Sequence, residues 1–370
     1  MPRLAPSLLR QSHRISPLLR SLLPATRDLQ SAQNELRWIR EHVFSSSVKP
    51  GDVPGHRQSP QQSQPRIIAR LCRQRGQGVP LQYILGSQPF GRLDIACQQG
   101  VLVPRPETEA WALHLGKLIR WWRHSAGDNS MRDLGLVDFC TGTGCIALSL
   151  YQSLQGADSK LRVRGVDISP QAVSLSRKNL EANLRTSVIS PPREDYSVSF
   201  TLGSVFDDSF VKELSSERGS YDVLVSNPPY ISRDTWTHGR GQMGFSVKKY
   251  EPRLALVPED DVPSYPGVEH EDVFYWRLLD ISSLLRTQLV VFEVGDEAQA
   301  LRVAGMALQR EELRDWKVEL WRDWPDISPL DDEAQILNVE VPGRYISQVA
   351  VRGSGNVRCV VITKIPSMIE

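Results

Sequence analysis

Short apolar runs alternate with amphipathic stretches from Leu134 to the end of the chain. Runs of about four to eight apolar residues are typical of buried strands, and apolar positions three and four residues apart are typical of helices. The alternation predicts an α/β fold in which helices cover both faces of a parallel sheet. The predicted strands are Leu134–Phe139, Leu161–Asp167, Val198–Leu202, Asp222–Ser226, Leu289–Val294, Val318–Trp321 and Val357–Thr363, and the predicted helices are 144–155, 170–184, 208–217, 272–286 and 296–312. Residues 186–197 and 325–352 follow neither period and are predicted to be surface insertions.

A different pattern precedes this part of the chain. The spacing of Leu36, Ile39 and Val43 predicts a helix over residues 29–45, and a second short helix is predicted over Ile67–Gln74. Between them, residues 46–65 are rich in Pro, Gln and Ser, which predicts a linker. Residues 28–80 are thus interpreted as a small helical region. With 8 Lys+Arg against 4 Asp+Glu, it is a candidate surface for docking a partner.

The first 27 residues have a composition of their own. They contain five arginines and no acidic residue, and serines are interleaved with leucine pairs. Such a composition is typical of a transit peptide, whereas a secretory signal needs an uninterrupted apolar core. We therefore predict that residues 1–27 are an organelle-targeting presequence, with a disordered basic tail as the alternative.

The overall composition narrows the class of protein. The 370 residues carry 44 Lys+Arg and 43 Asp+Glu, and 40% of them are hydrophobic, as in ordinary globular proteins. No apolar run approaches the roughly 18 residues that a membrane-spanning helix needs. Five cysteines without a CxxC pair favour neither a disulfide framework nor a zinc site, and no metal is expected. Residues 81–370 hold 31 Lys+Arg against 39 Asp+Glu, so stable nucleic-acid binding through bulk charge is not expected.

A glycine-rich loop is the first candidate site. Residues 137–147, VDFCTGTGCIA, run from a predicted strand into a predicted helix. Gly142 and Gly144 permit a tight turn and a close approach of the backbone to a ligand. Asp167 ends the next strand, where a carboxylate can accept hydrogen bonds from ribose hydroxyls. These features fit either NAD or S-adenosylmethionine, and by themselves they do not separate the two.

The second candidate site is Asn227-Pro228-Pro229-Tyr230, which follows the fourth predicted strand. The side-chain carbonyl of Asn227 and the backbone carbonyl of Pro228 can accept both hydrogens of a planar NH₂ group. Tyr230 offers a flat face on which that group can stack. This arrangement suits methylation of an amide or an exocyclic amine, and it resembles the [DNS]PPY signature of amino-methylating enzymes. The alternative interpretation is a proline-rich turn that closes a strand.

Two upstream segments, 80–90 (PLQYILGSQPF) and 101–109 (VLVPRPETE), look like an aromatic hairpin and a proline-bracketed loop. Together with both candidate sites, they closely resemble the HemK/PrmC family of protein-glutamine N5-methyltransferases. Residues 250–256 and 292–295 extend the resemblance. The resemblance implies a class I S-adenosylmethionine-dependent methyltransferase with a Rossmann-like seven-stranded sheet and a small helical N-terminal domain. It also implies that the substrate is the glutamine of the Gly-Gly-Gln motif in class-I peptide chain release factors.

The resemblance further assigns residues and domains. Asn227 to Tyr230 would be the catalytic and substrate-binding residues, joined by Arg105 and Glu107, with Glu109 in the same element. The cofactor would contact Cys140, Thr141, Gly142, Thr143, Gly144, Asp167, Val205 and Asn227. The expected domains are 1–27 (mitochondrial presequence), 28–80 (docking), 81–107 (connecting hairpin) and 108–370 (methyltransferase). With a presequence, the protein is expected in the mitochondrial matrix and its partner is expected to be a mitochondrial release factor.

Departures from the family pattern leave other functions open. Ser204 stands where the family often has an acid, and residues 257–263 (VPEDDVP) replace a double-glycine segment. The main alternative is a DNA or RNA adenine-N6 methyltransferase. Such an enzyme uses the same amide clamp, formed by the Asn227 and Pro228 carbonyls and the Tyr230 ring, but normally needs a basic groove. A further alternative is a non-enzymatic scaffold that only binds the cofactor.

Overall fold

The computed structural model describes residues 4–45, 60–125, 133–156, 160–216, 221–239, 243–341, 343 and 345–364. The chain divides into two compact units. Unit 1 comprises Met1–Gln88, Cys97–Gln99 and Gly241–Glu251, and unit 2 comprises Pro89–Ala96, Gly100–Arg240 and Pro252–Glu370. No helix of the described residues is long and apolar enough to cross a membrane.

The elements are numbered in chain order. The helices are α1 (Pro6–Ile15), α2 (Pro17–Thr26), α3 (Leu29–Ser45), α4 (Pro60–Gly76), α5 (Leu81–Leu85), α6 (Pro106–Ser125), α7 (Cys145–Leu154), α8 (Pro170–Arg185), α9 (Asp208–Ser216), α10 (Arg233–His238), α11 (Phe245–Tyr250), α12 (Val273–Leu285) and α13 (Glu297–Gln309). The strands are β1 (Ser87–Phe90), β2 (Leu93–Ala96), β3 (Asp133–Phe139), β4 (Lys160–Asp167), β5 (Tyr196–Leu202), β6 (Val223–Ser226), β7 (Leu289–Glu293), β8 (Lys317–Trp324), β9 (Ile336–Val341), β10 (Tyr345–Arg352) and β11 (Ser354–Thr363).

Unit 1 is a helical bundle whose core includes α2. Leu19, Leu22 and Leu23 of α2 are at most 1% exposed and pack in one cluster with Leu36 and Ile39 of α3. The turn between these helices is well defined, because Arg27 ends α2 in a left-handed conformation and the Asp28 carboxylate accepts the N–H of Ser31. Residues 17–26 are therefore part of a folded core, which the composition of residues 1–27 did not indicate.

The linker predicted over 46–65 lies partly outside the described residues, since 46–59 are not among them. For 60–65 the prediction is wrong, because these residues form the start of α4. Proline is tolerated at a helix start, where its missing N–H would have no partner in the helix. The helix predicted over Ile67–Gln74 is confirmed within α4. Glu35 and Arg75 join α3 and α4 through a bidentate ion pair with N–O distances of 2.8 and 2.9 Å.

Unit 2 has the predicted α/β fold, built on a nine-stranded sheet of order β5-β4-β3-β6-β7-β11-β8-β10-β9. The five strands from β5 to β7 are mutually parallel, whereas β11 runs antiparallel to both β7 and β8. The expectation of a wholly parallel sheet is thus wrong at β11 and at β9. All seven predicted strands and all five predicted helices are present with slightly different bounds.

The prediction of a surface insertion over 325–352 is wrong for β9 and β10, whereas residues 325–335 form no named strand or helix. Strand β10 pairs in parallel with β8 and antiparallel with β9, so both strands belong to the main sheet and extend it from seven strands to nine. Strand β9 is the edge strand and β10 is its neighbour, and each buries only alternate side chains such as Val339 and Val349. The period of two is obscured in the sequence because Ile336 and Ile346 are apolar yet exposed. The insertion predicted over 186–197 is wrong for its last two residues, which begin β5, whereas residues 186–195 form no named strand or helix apart from one isolated bridge.

Candidate active site

Three loops meet at the carboxyl edge of the sheet. Strand β3 has β4 on one side and β6 on the other, so the strand order reverses beside it. Open α/β sheets bind ligands at such a switch point, outside the carboxyl ends of the strands. The glycine-rich loop follows β3, Asp167 ends β4, and Asn227 follows β6. One cavity of unit 2 is lined by residues from all three loops.

The glycine-rich loop needs unusual backbone angles. Cys140, Gly142 and Gly144 all have positive φ, at 60°, 55° and 79°. A Cβ on Gly144 would lie 2.9 Å from both the Phe200 ring and the Cβ of Ser176, so only glycine fits there. Cys140 adopts the same region despite its side chain, which indicates local strain in the loop. Of the five predicted loop residues, all but Gly144 line the cavity.

Asp167 holds this loop in place. Its Oδ2 accepts the N–H of Gly142 at 2.8 Å, and its Oδ1 accepts the N–H of Ser169 at 2.9 Å. Each carboxylate oxygen has a second lone pair, so the group can still accept hydrogen bonds from a ligand. Burial raises the pKa of Asp167 despite these backbone hydrogen bonds. The carboxylate therefore fits the predicted role toward two ribose hydroxyls while it also anchors the turn.

Asp138 is a buried acid that the sequence analysis did not single out. It is 0% exposed, and its Oδ2 accepts hydrogen bonds from the Thr141 hydroxyl at 2.6 Å and the Ala147 N–H at 3.2 Å. Its Oδ1 has no hydrogen-bond partner among the described residues. Burial raises the pKa of Asp138 from 3.8 to about 7. The available signal was an acid near the end of an otherwise apolar strand.

An Asp138→Asn variant is expected to gain stability relative to the wild-type protein as the pH rises. The folded pKa of about 7 exceeds the reference value of 3.8, so the protonated acid stabilises the fold at low pH and that contribution is lost as the pH rises through 7. Asparagine stays neutral and can keep both accepted hydrogen bonds. The difference in unfolding free energy should change by at most about 1.4 kcal/mol per pH unit in this window. Denaturant titrations from pH 4 to 8 measure it, and a difference independent of pH would contradict the assignment.

The far end of the cavity is apolar and aromatic. Val205, predicted to face the adenine, lines it together with Ser204, Phe206 and Phe274. The two phenylalanine rings form an edge-to-face pair with centroids 4.9 Å apart. Apolar and aromatic side chains in the same cavity as the Asp167 carboxylate suit the base and ribose of a nucleoside ligand. Sequence reasoning missed Phe274, because α12 is distant along the chain.

The Asn-Pro-Pro-Tyr segment is divided between the cavity and the interior. Asn227 and Pro229 line the cavity, whereas Pro228 is buried and neither it nor Tyr230 belongs to the lining. The Tyr230 ring packs beside Gly295, and its backbone carbonyl accepts from the side chain of Gln299. Burial raises the pKa of Tyr230 well above its usual value, so the phenol stays protonated. The tyrosine is therefore held by the end of β7 and by α13.

The proline-bracketed loop predicted over 101–109 ends at Arg105, because Pro106 begins the twenty-residue helix α6. Arg105 lines the cavity. Glu107 lies in the first turn of α6 and is absent from the lining. Glu109 accepts the N–H of Gly91 at 2.9 Å, which joins α6 to the β1–β2 turn. The element thus brings Arg105 to the cavity and leaves Glu107 outside it, and it adds Thr108, which sequence reasoning passed over.

The segment that departs from the family pattern, 257–263, also contributes to the cavity. Glu259, Asp261, Val262 and Pro263 line it. No histidine is among the lining residues, and no group of three or more His, Cys, Asp or Glu that could hold a metal occurs in the described ranges. The cavity lining thus combines a glycine-rich turn, acidic residues, aromatic rings and the asparagine Asn227.

Comparison with known proteins agrees with this geometry. Residues 129–245 match the family model for the methyltransferase small domain. The chain is 34% identical over 299 residues to the mitochondrial MRF1 N(5)-glutamine methyltransferase MTQ1 of Saccharomyces cerevisiae, covering 81% of this chain and 78% of that protein. It is 31% identical over 289 residues to the probable MRF1 mitochondrial N(5)-glutamine methyltransferase mtq1 of Schizosaccharomyces pombe, covering 78% and 84%. The release factor glutamine methyltransferase of Chlorobaculum tepidum is 34% identical over 198 residues, covering 53% and 59%.

Proposed function

Because the chain belongs to the family of release-factor N(5)-glutamine methyltransferases, we propose that it methylates the side-chain amide of the Gly-Gly-Gln glutamine in a class-I peptide chain release factor. The observation that carries the proposal is the position of Asn227. This side-chain amide lies in the same cavity as the glycine-rich loop and Asp167. The cofactor is S-adenosylmethionine, which supplies the methyl group.

The chain's own residues have separate tasks in this reaction. Residues 140–144 and Asp167 would hold the cofactor, with Val205 beside its base. The Asn227 side-chain carbonyl and the Pro228 backbone carbonyl would accept the two N–H groups of the substrate amide. An amide nitrogen is a weak nucleophile, so most of the rate enhancement would come from orientation and proximity. The amide proton displaced by the methyl group would pass to water.

Arg105 and Glu107 remain proposed substrate contacts, with different support. Arg105 lines the cavity and can meet a backbone carbonyl or an acidic group of the release factor. Glu107 stands at the start of α6, outside the lining, and would contact the protein substrate beyond the cavity. We propose residues 28–80 as the docking region, 81–107 as the connection and 108–370 as the methyltransferase domain. The acidic balance of residues 81–370 supports a protein substrate over DNA or RNA.

We also propose that the protein acts in the mitochondrial matrix on a mitochondrial release factor. Two relatives that match more than three quarters of this chain are named as mitochondrial enzymes acting on MRF1. The acid-free, arginine-rich composition of residues 1–27 supports import. Because α2 contributes to the core of unit 1, the targeting information is best assigned to residues before Pro17.

A methyl-transfer assay with labelled S-adenosylmethionine tests the proposed function. The enzyme is offered a mitochondrial release factor, the same factor with the Gly-Gly-Gln glutamine replaced by glutamate, and DNA and RNA. Label is expected on the unmodified factor alone, and mass spectrometry should place the methyl group on that glutamine. Glutamate is the matched control, because it keeps the length of the side chain and lacks the amide nitrogen. Label in the glutamate factor or only in nucleic acid would overturn the proposal.

A further inference from the structure

A buried hydrogen-bond chain leads from Asn227 into the interior of unit 2. The Asn227 Nδ2 lies 3.5 Å from the Thr108 hydroxyl, which lies 2.7 Å from Oε2 of Glu293. The same Oε2 is 2.7 Å from the indole nitrogen of Trp111. Thr108, Trp111 and Glu293 are each at most 2% exposed. The hydrogen bonds therefore connect Asn227, through Thr108 at the cavity wall, to Trp111 and Glu293 in the interior.

The direction of every proton in this chain follows from chemistry. An indole N–H can only donate, so Oε2 of Glu293 accepts from Trp111. A threonine hydroxyl has one proton, and its short contact with Oε2 uses that proton. Only lone pairs of Thr108 then face Asn227, so the Asn227 group beside Thr108 must be the NH₂ end. The orientation of the amide is thus fixed independently of how its oxygen and nitrogen are assigned.

This orientation matters for the proposed substrate. With its NH₂ end committed to Thr108, Asn227 has Oδ1 on the other side of the side-chain amide. Its side chain makes no other hydrogen bond within the described residues. A glutamine amide presents two N–H donors to the clamp and needs acceptors. If Asn227 were turned over, two NH₂ groups would oppose each other and one would lose its partner.

We propose that Thr108 and Glu293, with Trp111, are positioning residues that fix the Asn227 amide with its carbonyl toward the substrate, an inference that rests on the proposed function. This series of hydrogen bonds favours a substrate side chain that donates, glutamine, over one that only accepts, glutamate. Its effect on the substrate passes through Asn227. Burial raises the pKa of Glu293, while its Oε2 accepts hydrogen bonds from both Thr108 and Trp111.

The test compares Thr108→Val, which removes the hydroxyl at nearly constant volume, with Thr108→Ser, which keeps it. For Thr108→Val we expect kcat on the release factor to fall about 10- to 100-fold, with the KM for S-adenosylmethionine within about twofold. Its binding preference for the glutamine factor over the glutamate factor should shrink about tenfold, because Asn227 can now turn over. Thr108→Ser should restore both values. A merely structural role would not alter the glutamine-to-glutamate preference.

Glu293→Gln provides a second, independent variant. The indole N–H would force the new amide to present its oxygen to Trp111 and Thr108, so we expect the substrate preference to stay within about twofold of wild type. Loss of the preference in Glu293→Gln, or its retention in a folded Thr108→Val, would overturn the positioning role. If wild-type enzyme methylates no release factor, the proposed function fails instead. If wild type is active and Thr108→Val equals it, only the positioning role fails.

Discussion

Replacing Asn227 with alanine is expected to lower kcat for release-factor methylation by about 10²- to 10³-fold, the usual cost of removing one aligned polar group from an active site. The substitution removes the carbonyl that would orient the planar amide of the substrate. Affinity for S-adenosylmethionine should stay within about threefold, because the glycine-rich loop and Asp167 would carry most of the cofactor contacts. Stability should change little, since Asn227 makes a single long side-chain hydrogen bond.

Single-turnover transfer and calorimetric binding of the cofactor measure these two effects separately. Asn338→Ala is the matched control, because it deletes the same side chain at an exposed position of β9. The control should behave as wild type in both measurements. Unchanged transfer by Asn227→Ala would remove the basis for assigning the clamp. Equal losses of cofactor binding and of transfer would place Asn227 with the cofactor rather than with the substrate.

Deleting residues 1–27 is expected to unfold unit 1, whereas deleting residues 1–15 leaves its core in place. The longer deletion removes Leu19, Leu22 and Leu23, which are almost completely buried. Truncation of one buried leucine typically costs about 2–5 kcal/mol, so the loss of three is comparable with the whole stability of a domain. The shorter deletion removes only α1, whose Leu8 and Leu9 are partly buried.

Hydrogen exchange of the α3 and α4 amides in the full-length chain and in both deletions reports on unit 1 separately from unit 2. Protection should persist after the shorter deletion and be lost after the longer one. Leu22→Ala and Ile15→Ala form a matched pair, because Leu22 is 0% and Ile15 is 54% exposed. Full protection in the chain lacking residues 1–27 would show that α2 is dispensable. Fluorescent fusions of the same chains then test whether residues 1–15 direct import.

The helical bundle shows why the N-terminal boundary could not be predicted from composition. An acid-free run of arginine, serine and leucine can act as a targeting segment or can bury its leucines in a protein core. Its composition is the same in both cases. Burial of Leu22 depends on α3 and α4, which pack against it. Strands β9 and β10 were missed for a related reason. Their buried positions alternate with exposed ones, and β10 is held between β8 and β9 by pairing that the local pattern does not show.

The sequence by itself determined the α/β class, the seven predicted strands and the positions of the glycine-rich loop, Asp167 and Asn227. Each of these is a local property. A strand buried on both faces must be apolar throughout, and a turn with positive φ at Gly144 requires glycine. Ligand-binding loops of a parallel sheet also follow their strands directly, so chain order alone placed them at one edge.

Only the tertiary structure decided how Asn227 is oriented and what supports it. Thr108 and Glu293 are 185 residues apart. Each lies in a segment that carries the family resemblance, but neither segment indicates that the two side chains meet. They meet because the start of α6 lies beside the carboxyl end of β7. Burial excludes water there, so these polar groups must form their hydrogen bonds with one another. The antiparallel insertion of β11 between β7 and β8 is decided in the same way. Local residues therefore specify the candidate chemical groups, and long-range packing fixes the direction in which each one points.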